Sequence, residues 1–439
     1  MSSVVSLAHF KRFPLLMWIL LFGSFITRGS FYMVWPFLAV ILYERFALSA
    51  THVGLILSSA AVISVFVSFV GSALSDRVGR HQLMYASGIL YIISFSLLAQ
   101  VNSIIGYSIV ITLCSIATAL WRPLTSALIG DIIEDKGTRE LAMQSLYFVV
   151  NVGCAVGPMV GLWLGLTGEQ SSFYITAGAF AFLLGLLWWG FHQHSSEQSK
   201  LDNNNLSKDS LEQLEDDLVE EAPSASNIDE DHNKQPAGHK IYQVLVADKL
   251  LQCLIFANIL CMFIYAQMDS SLIQYLTRAK VPDLLELISA MIFTNALVII
   301  STQFLLLRVM ANLALVARIQ VGLVLLMCSQ IWLALNPLTL FWGWIGAIVV
   351  MSLAETILFP TMNVHIDRLA PEHLRGAYFG AASFYEFGFA IAPLGGGIIL
   401  DHFGGPWLFF IAAGLTLIVI YLYAILDKLP RPDFEKLKA

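Results

Sequence analysis

The chain has 439 residues, 57% of them apolar and 13% charged, with a formal net charge of −7. Soluble domains carry roughly 25% charged residues, so a water-soluble fold is excluded. The apolar residues fall in blocks of about 20 or more, the length a helix needs to cross a bilayer core of roughly 30 Å, and the class is an all-α polytopic membrane protein.

The first block follows Lys11 and Arg12. It is about twice as long as the apolar region of a cleaved signal and no A-x-A site follows it, so it reads as a retained span. Apolar blocks alternating with turn and charge signals give twelve spans, roughly 14–43, 52–75, 82–102, 104–130, 141–165, 171–191, 249–276, 284–307, 314–335, 338–364, 376–400 and 405–427. They form two six-helix bundles, 1–191 and 241–439, joined by a linker over 192–240. That linker holds 12 acidic and 4 basic residues. Low hydrophobicity with high charge makes it a disordered tether, apart from a short helix at "SLEQLEDDLVEE". Nineteen of the 24 Lys and Arg residues fall on one side of this map, which places both termini in the cytoplasm.

Span 1 carries Arg28 in "FITRGSFYMVWPF", with Tyr32 and Trp35 on its face at helical spacing. Span 4 carries Arg122 directly before Pro123, and span 7 carries Tyr265, Gln267 and Asp269 in "YAQMDSSLIQYL". Glu355 lies in span 10, five residues before Pro360, and Glu386 in span 11. Arg28, Arg122, Asp269, Glu355 and Glu386 are the charges that sit within spans. Each costs roughly 2.5–3.5 kcal/mol at a span centre, so they are expected to face a central cavity and pair with each other or with a ligand. Both arginines lie in the first half and all three acids in the second. They serve either as structural ion pairs across the cavity or as proton carriers, with Asp269, Glu355 and Glu386 the candidates for protonation. Arg28, Tyr32, Trp35, Arg122, Tyr265 and Gln267 are the candidates for substrate contact. Glu44, Arg45, Glu169 and Asp401 lie near the outer span ends and read as solvated.

Five cysteines fall in apolar blocks without ligand spacing, so neither a metal site nor a disulfide framework is expected. No G-x-x-x-x-G-K-[ST] loop occurs, and no nucleophile, base and acid set supports an enzyme.

The halves repeat. With Asn151 laid on Glu386, Pro158 coincides with Pro393, and "WRPLTSALIGDI" around Pro123 matches "LFPTMNVHIDRL" around Pro360. The proline-to-proline distances are 35 and 33 residues. Such repeats place a substrate site near the midplane between the halves.

These features resemble the major facilitator superfamily over essentially the whole chain. "SALSDRVGRHQL", between spans 2 and 3, is similar to the signature G-x-L-a-D-R-x-G-R-K, keeping Leu74, Asp76, Arg77, Gly79 and Arg80 and departing at Ser72 and His81. The resemblance implies a gate in which Asp76 meets the amino end of span 11, Arg77 shares the latch, and Arg80 pairs with Asp131. The run Gly153, Gly157, Pro158, Gly161 resembles the span 5 motif of proton-driven exporters in that superfamily. The arginine usual in span 4 of exporters is replaced by Ile111, and the frequent span 1 acid is missing.

The implied function is secondary active transport by alternating access, with proton-coupled export of amphipathic small molecules or drugs first. An organic anion, such as a carboxylate siderophore or metabolite, is the alternative because of the two arginines. The resemblance further implies a monomer in the lipid bilayer of a bacterial inner membrane. Its energy source would be the proton gradient, with no cofactor, and its partners protons and a small molecule rather than nucleic acid.

Overall fold

The structure, a computed structural model, describes residues 10–133, 135–193, 244–371 and 374–432; the side chains of residues 69–77 and of Arg122, among others, also lie outside the description. The acidic linker, with its expected short helix, therefore falls outside the described residues, except for His192 and Gln193 at the end of span 6.

Among the described residues, twelve helical segments are long and apolar enough to span a membrane: Leu15–Phe46, Ala50–Ser68, Arg80–Leu98, Ile104–Ile132, Gly137–Trp163, Gln170–Gln193, Lys249–Arg278, Leu284–Gln303, Leu315–Leu335, Phe341–Ile366, Gly380–Phe403 and Gly405–Ile425. No strand occurs among the described residues. The bilayer imposes this choice, because a helix satisfies its backbone hydrogen bonds within one segment. Side chains close the helix starts. Ser103 Oγ accepts from the Gly106 N–H at 3.1 Å, Asp135 from Thr138 at 2.8 Å and Asp248 from Leu251 at 3.1 Å. Gly79 turns the chain between spans 2 and 3 at φ +100°, a conformation that L side chains rarely adopt. The glycine of the loop signature thus has a backbone reason.

In the first half, span 1 packs on span 5, and spans 2 and 3 pack on span 4. In the second, span 7 packs on spans 11 and 12, span 8 on span 10, and span 9 on spans 10 and 12. The halves meet along two seams, span 2 with span 11 and span 5 with span 8.

Close helix approach depends on missing side chains. A Cβ on Gly157 would lie 3.0 Å from Gly29 Cα, and one on Gly153 would lie 2.9 Å from the Phe25 carbonyl oxygen. Small residues of this kind let membrane helices pack backbone to backbone. The second half repeats the device: a Cβ on Gly388, the counterpart of Gly153, would run into the Ile259 carbonyl oxygen. Laying Phe25 on Ile259 puts Trp35 on Asp269. Both spans break there. Span 1 passes through a 3-10 turn at Trp35–Phe37, where Pro36 lacks an N–H, and span 7 through a π-turn at Met268–Leu272. Equivalent breaks near mid-span in the first helix of each half put irregular backbone beside the central axis.

Candidate functional site

Five spans enclose a cavity of ≈110 Å³ between the halves. Span 1 contributes Tyr32, and span 5 contributes Asn151 and Cys154. From the second half come Tyr265, Met268 and Asp269 of span 7, Asn295 with the apolar face of span 8, and Glu355 of span 10.

Glu355 is held by donors on one oxygen. Tyr265 Oη donates to Oε2 at 2.6 Å and Asn295 Nδ2 at 2.8 Å. Asn295 also donates to Ser352 Oγ at 3.0 Å, one turn before Glu355 on the same helix. The spacing explains the set, since residues three apart on a helix share a face. Asp269 sits in the π-turn and is exposed to the cavity, with no hydrogen bond or ion pair to another described residue.

Arg28 lies one turn before Tyr32. Its stem is pinned by span 5, where a Cβ on Gly153 would come within 3.1 Å of Arg28 Cβ. The guanidinium carbon stands 5.9 Å from the centre of the Phe31 ring. Arg28 is not among the residues lining the cavity and makes no ion pair among the described residues.

Of the residues singled out by sequence, the cavity thus gathers Tyr32, Tyr265, Asp269 and Glu355. Trp35 is elsewhere, stacked on Phe31 with ring centres 4.9 Å apart and tilted against Phe95. Gln267 is buried against span 11, where its Nε2 donates to the Ala392 carbonyl at 3.3 Å. Glu386 does not line the cavity, although its counterpart Asn151 does. Span 11 runs through a 3-10 turn at Ser383–Tyr385 just before Glu386, while span 5 is continuous there, so the two positions are presented differently. The side chains of Arg122, Asp76 and Arg77 lie outside the described residues. Asn295, Asn151 and Cys154 are cavity residues that a search for charges and aromatic rings passes over. Asn295 leaves only a weak sequence signal, being one of two amides, with Gln303, in span 8.

The polar contacts differ between the two ends of the bundles. Near the chain termini, Arg80 forms an ion pair with Asp131 and donates to the Ala127 carbonyl at 3.1 Å, within the first half. On the opposite face the contacts cross between halves. Asp401 accepts from the N–H groups of Ala50 at 3.0 Å and Thr51 at 2.8 Å, the first turn of span 2. Arg278 donates to the Leu48 carbonyl at 2.8 Å and lies 4.6 Å from the Tyr43 ring centre. Deeper in the same seam the Leu394 N–H donates to Ser58 Oγ at 3.0 Å. Asp401 is therefore not merely solvated, as its place at a span end suggests. Folding brings it to a helix N-terminus, where a carboxylate meets both free N–H groups and the positive helix end.

Two pseudo-equivalent bundles, a seam of contacts on one face and a polar cavity between them define a membrane transporter of the two-bundle type. The chain belongs to the Major Facilitator Superfamily, whose model matches residues 20–387. It is 26% identical over 408 residues to the uncharacterized transporter YqjV of Bacillus subtilis, covering 91% of each chain. It is 25% identical to a Na(+), Li(+), K(+)/H(+) antiporter of Planococcus maritimus, covering 92% of this chain and 93% of that one. A shorter match, 29% identical over 39% of this chain and 43% of the relative, is to the multi-drug resistance efflux pump PmrA of Streptococcus pneumoniae. The fold is shared with a POT peptide transporter (TM-score 0.73, 15% identity, 94% of this chain and 95% of that one). It is also shared with the nucleoside transporter NupG (TM-score 0.72, 13% identity, 94% and 99%). These relatives and structural neighbours are transporters, not enzymes.

Proposed function

We propose that this chain is a secondary active transporter that exports amphipathic small molecules, cationic drugs first among them, in exchange for protons carried by Asp269 and Glu355. The observation that carries this reading is that two carboxylates from different spans face one cavity between the halves. Two negative charges in a small volume of low dielectric repel each other and lack solvating water. A proton on one of them, or a cationic cargo beside them, removes that cost. Cargo and protons then compete for the same charges, so the arrival of one releases the other, and this competition is antiport. Tyr265 and Asn295 orient Glu355 for the exchange, and Tyr32 supplies an aromatic wall from the opposite half. The relatives named as an efflux pump and as a proton antiporter support the same assignment.

The cavity is smaller than the roughly 300–1,000 Å³ that drug-sized ligands occupy, so loading belongs to a more open state of the cycle. Both termini face the cytoplasm of a bacterial inner membrane in this proposal, and the monomer uses the proton gradient and no cofactor. A second reading, transport of an organic anion such as a carboxylate siderophore, rests on Arg28 having no ion pair among the described residues.

Proteoliposomes with an imposed pH gradient test both. Gradient-driven flux of lipophilic cations that disappears in Asp269→Asn and Glu355→Gln, and survives in Arg28→Ala, is the expected result. Flux of anionic substrates that needs Arg28 would replace the drug reading with the anion one. A folded protein that moves nothing in response to the gradient, over a broad panel, would sink both.

A further inference from the structure

One pair of equivalent positions differs between the halves in chemistry. Gly161 of span 5 and Gly396 of span 11 correspond, and each faces the first span of its own half. A Cβ on Gly161 would meet chiefly the Met33 side chain, with the Thr167 hydroxyl 2.9 Å away. A Cβ on Gly396 would instead collide with Ser271 Oγ and Gln267 Oε1, so these two oxygens sit side by side over the glycine.

The oxygens belong to a polar stripe sealed inside the protein. Gln267, Ser271 and Gln274 are 1%, 0% and 2% exposed. Gln267 Nε2 donates to the carbonyls of Phe263 at 3.0 Å and Ala392 at 3.3 Å, which fixes the amide's orientation and turns Oε1 toward Ser271. Gln267 Oε1, Ser271 Oγ and both polar atoms of Gln274 have no partner among the described residues. A buried polar atom without a partner is destabilising, and packing alone gives no reason to keep four of them in one stretch of helix. The backbone between them is the π-turn, where the Leu272 N–H reaches back to the Gln267 carbonyl at 2.8 Å. Such turns recur at binding sites.

We propose that Gln267, Ser271 and Gln274 bind one alkali cation between spans 7 and 11. Their chemistry selects the charge: the donors are neutral oxygens without a carboxylate among them, whereas Ca²⁺ and Mg²⁺ sites are built on carboxylates. Asp269, two residues from Gln267, faces the cavity and is not one of the ligands, so the site carries no formal negative charge of its own, which suits a monovalent ion better than a divalent one. The site lies behind the cavity, because Met268 and Asp269 line the cavity while the three polar residues do not. A cation there braces the π-turn and so sets where Asp269 points. Ala392, which receives the Gln267 amide, lies next to Pro393 and two residues from Leu394, which bonds Ser58 of span 2. Occupancy is thereby linked to the seam between the halves.

The test is binding to the full-length protein in detergent and needs no transport activity, so it stands or falls apart from the proton-exchange proposal. Thermal unfolding is followed in choline chloride and in NaCl, LiCl and KCl at equal ionic strength. One alkali cation is expected to raise the midpoint saturably by roughly 3 °C or more. Ser271→Ala and Gln267→Leu each abolish that rise, and Glu355→Gln keeps it. An equal midpoint in all four salts overturns the proposal and leaves the stripe to water. A rise that survives Ser271→Ala and Gln267→Leu, or is lost in Glu355→Gln alone, also overturns it by moving the ion into the cavity. If a variant fails to fold, titration of the wild type and of Glu355→Gln with radioactive Na⁺, Rb⁺ as a K⁺ stand-in and unlabelled Li⁺ as competitor decides between the two outcomes: saturable binding retained in Glu355→Gln supports the site, and its absence from the wild type or its loss in Glu355→Gln rules the site out.

Discussion

Glu355 receives two hydrogen bonds on Oε2, from Tyr265 and Asn295, so that oxygen is committed to positioning. Hydrogen bonds to a charged group contribute about 1.5–3 kcal/mol, enough to fix the side chain in one rotamer. Glu355→Gln keeps the shape but cannot exchange a proton. It is expected to end gradient-driven exchange while cargo counterflow without a gradient continues, measured in the same vesicles. Loss of both activities would make Glu355 a cargo ligand or a structural residue rather than a proton carrier. Tyr265→Phe, which removes one donor, should slow exchange without abolishing it. Asp269 and Glu355 are legible in the sequence because a carboxylate within an apolar span is conspicuous. Asn295 is not, because an amide costs little enough in a span to pass as packing. Asp401 escapes a sequence reading for another reason. Sequence places it at a span end, and only the meeting of spans 2 and 11 shows that it caps a helix.

At the scale of elements, the glycines of span 5 decide how closely span 1 approaches. Because the Cβ of Gly157→Ala would run into the Gly29 carbonyl oxygen, backbone that cannot rotate away, the helices must separate. Overpacking of this kind costs about 1–3 kcal/mol. Gly178→Ala, where an added Cβ meets nothing within 4 Å, should be neutral or slightly stabilising. Thermal midpoints of the two variants side by side test the claim, and an unchanged Gly157→Ala protein would refute it. Spans and repeats are legible because length and hydropathy report them directly, and the prolines Pro123, Pro158, Pro360 and Pro393 give fixed landmarks. The break in span 1 leaves a trace at Pro36. The matching π-turn in span 7 leaves none, since "QMDSSL" contains neither proline nor glycine and its backbone follows from packing against span 11.

At the scale of the whole molecule, the polar contacts described between the halves concentrate on the face away from the termini. Asp401 on the start of span 2 and Arg278 on the Leu48 carbonyl join the halves there. The Arg80 to Asp131 pair on the other face stays within one half. Cys154 lines the cavity and serves as a native reporter. Asp401→Ala removes the carboxylate that caps span 2, and the state open to that face should gain population by roughly fivefold or more. A membrane-impermeant thiol reagent added from the face opposite the termini should then modify Cys154 correspondingly faster, read as labelled peptide by mass spectrometry. Joining Thr51→Cys to Asp401→Cys with a bifunctional thiol crosslinker should do the reverse, stopping both labelling from that face and net flux, because the seam must part once per cycle. Crosslinked protein that still transports would show that the seam stays closed throughout the cycle, and would remove alternating access through this face from the mechanism.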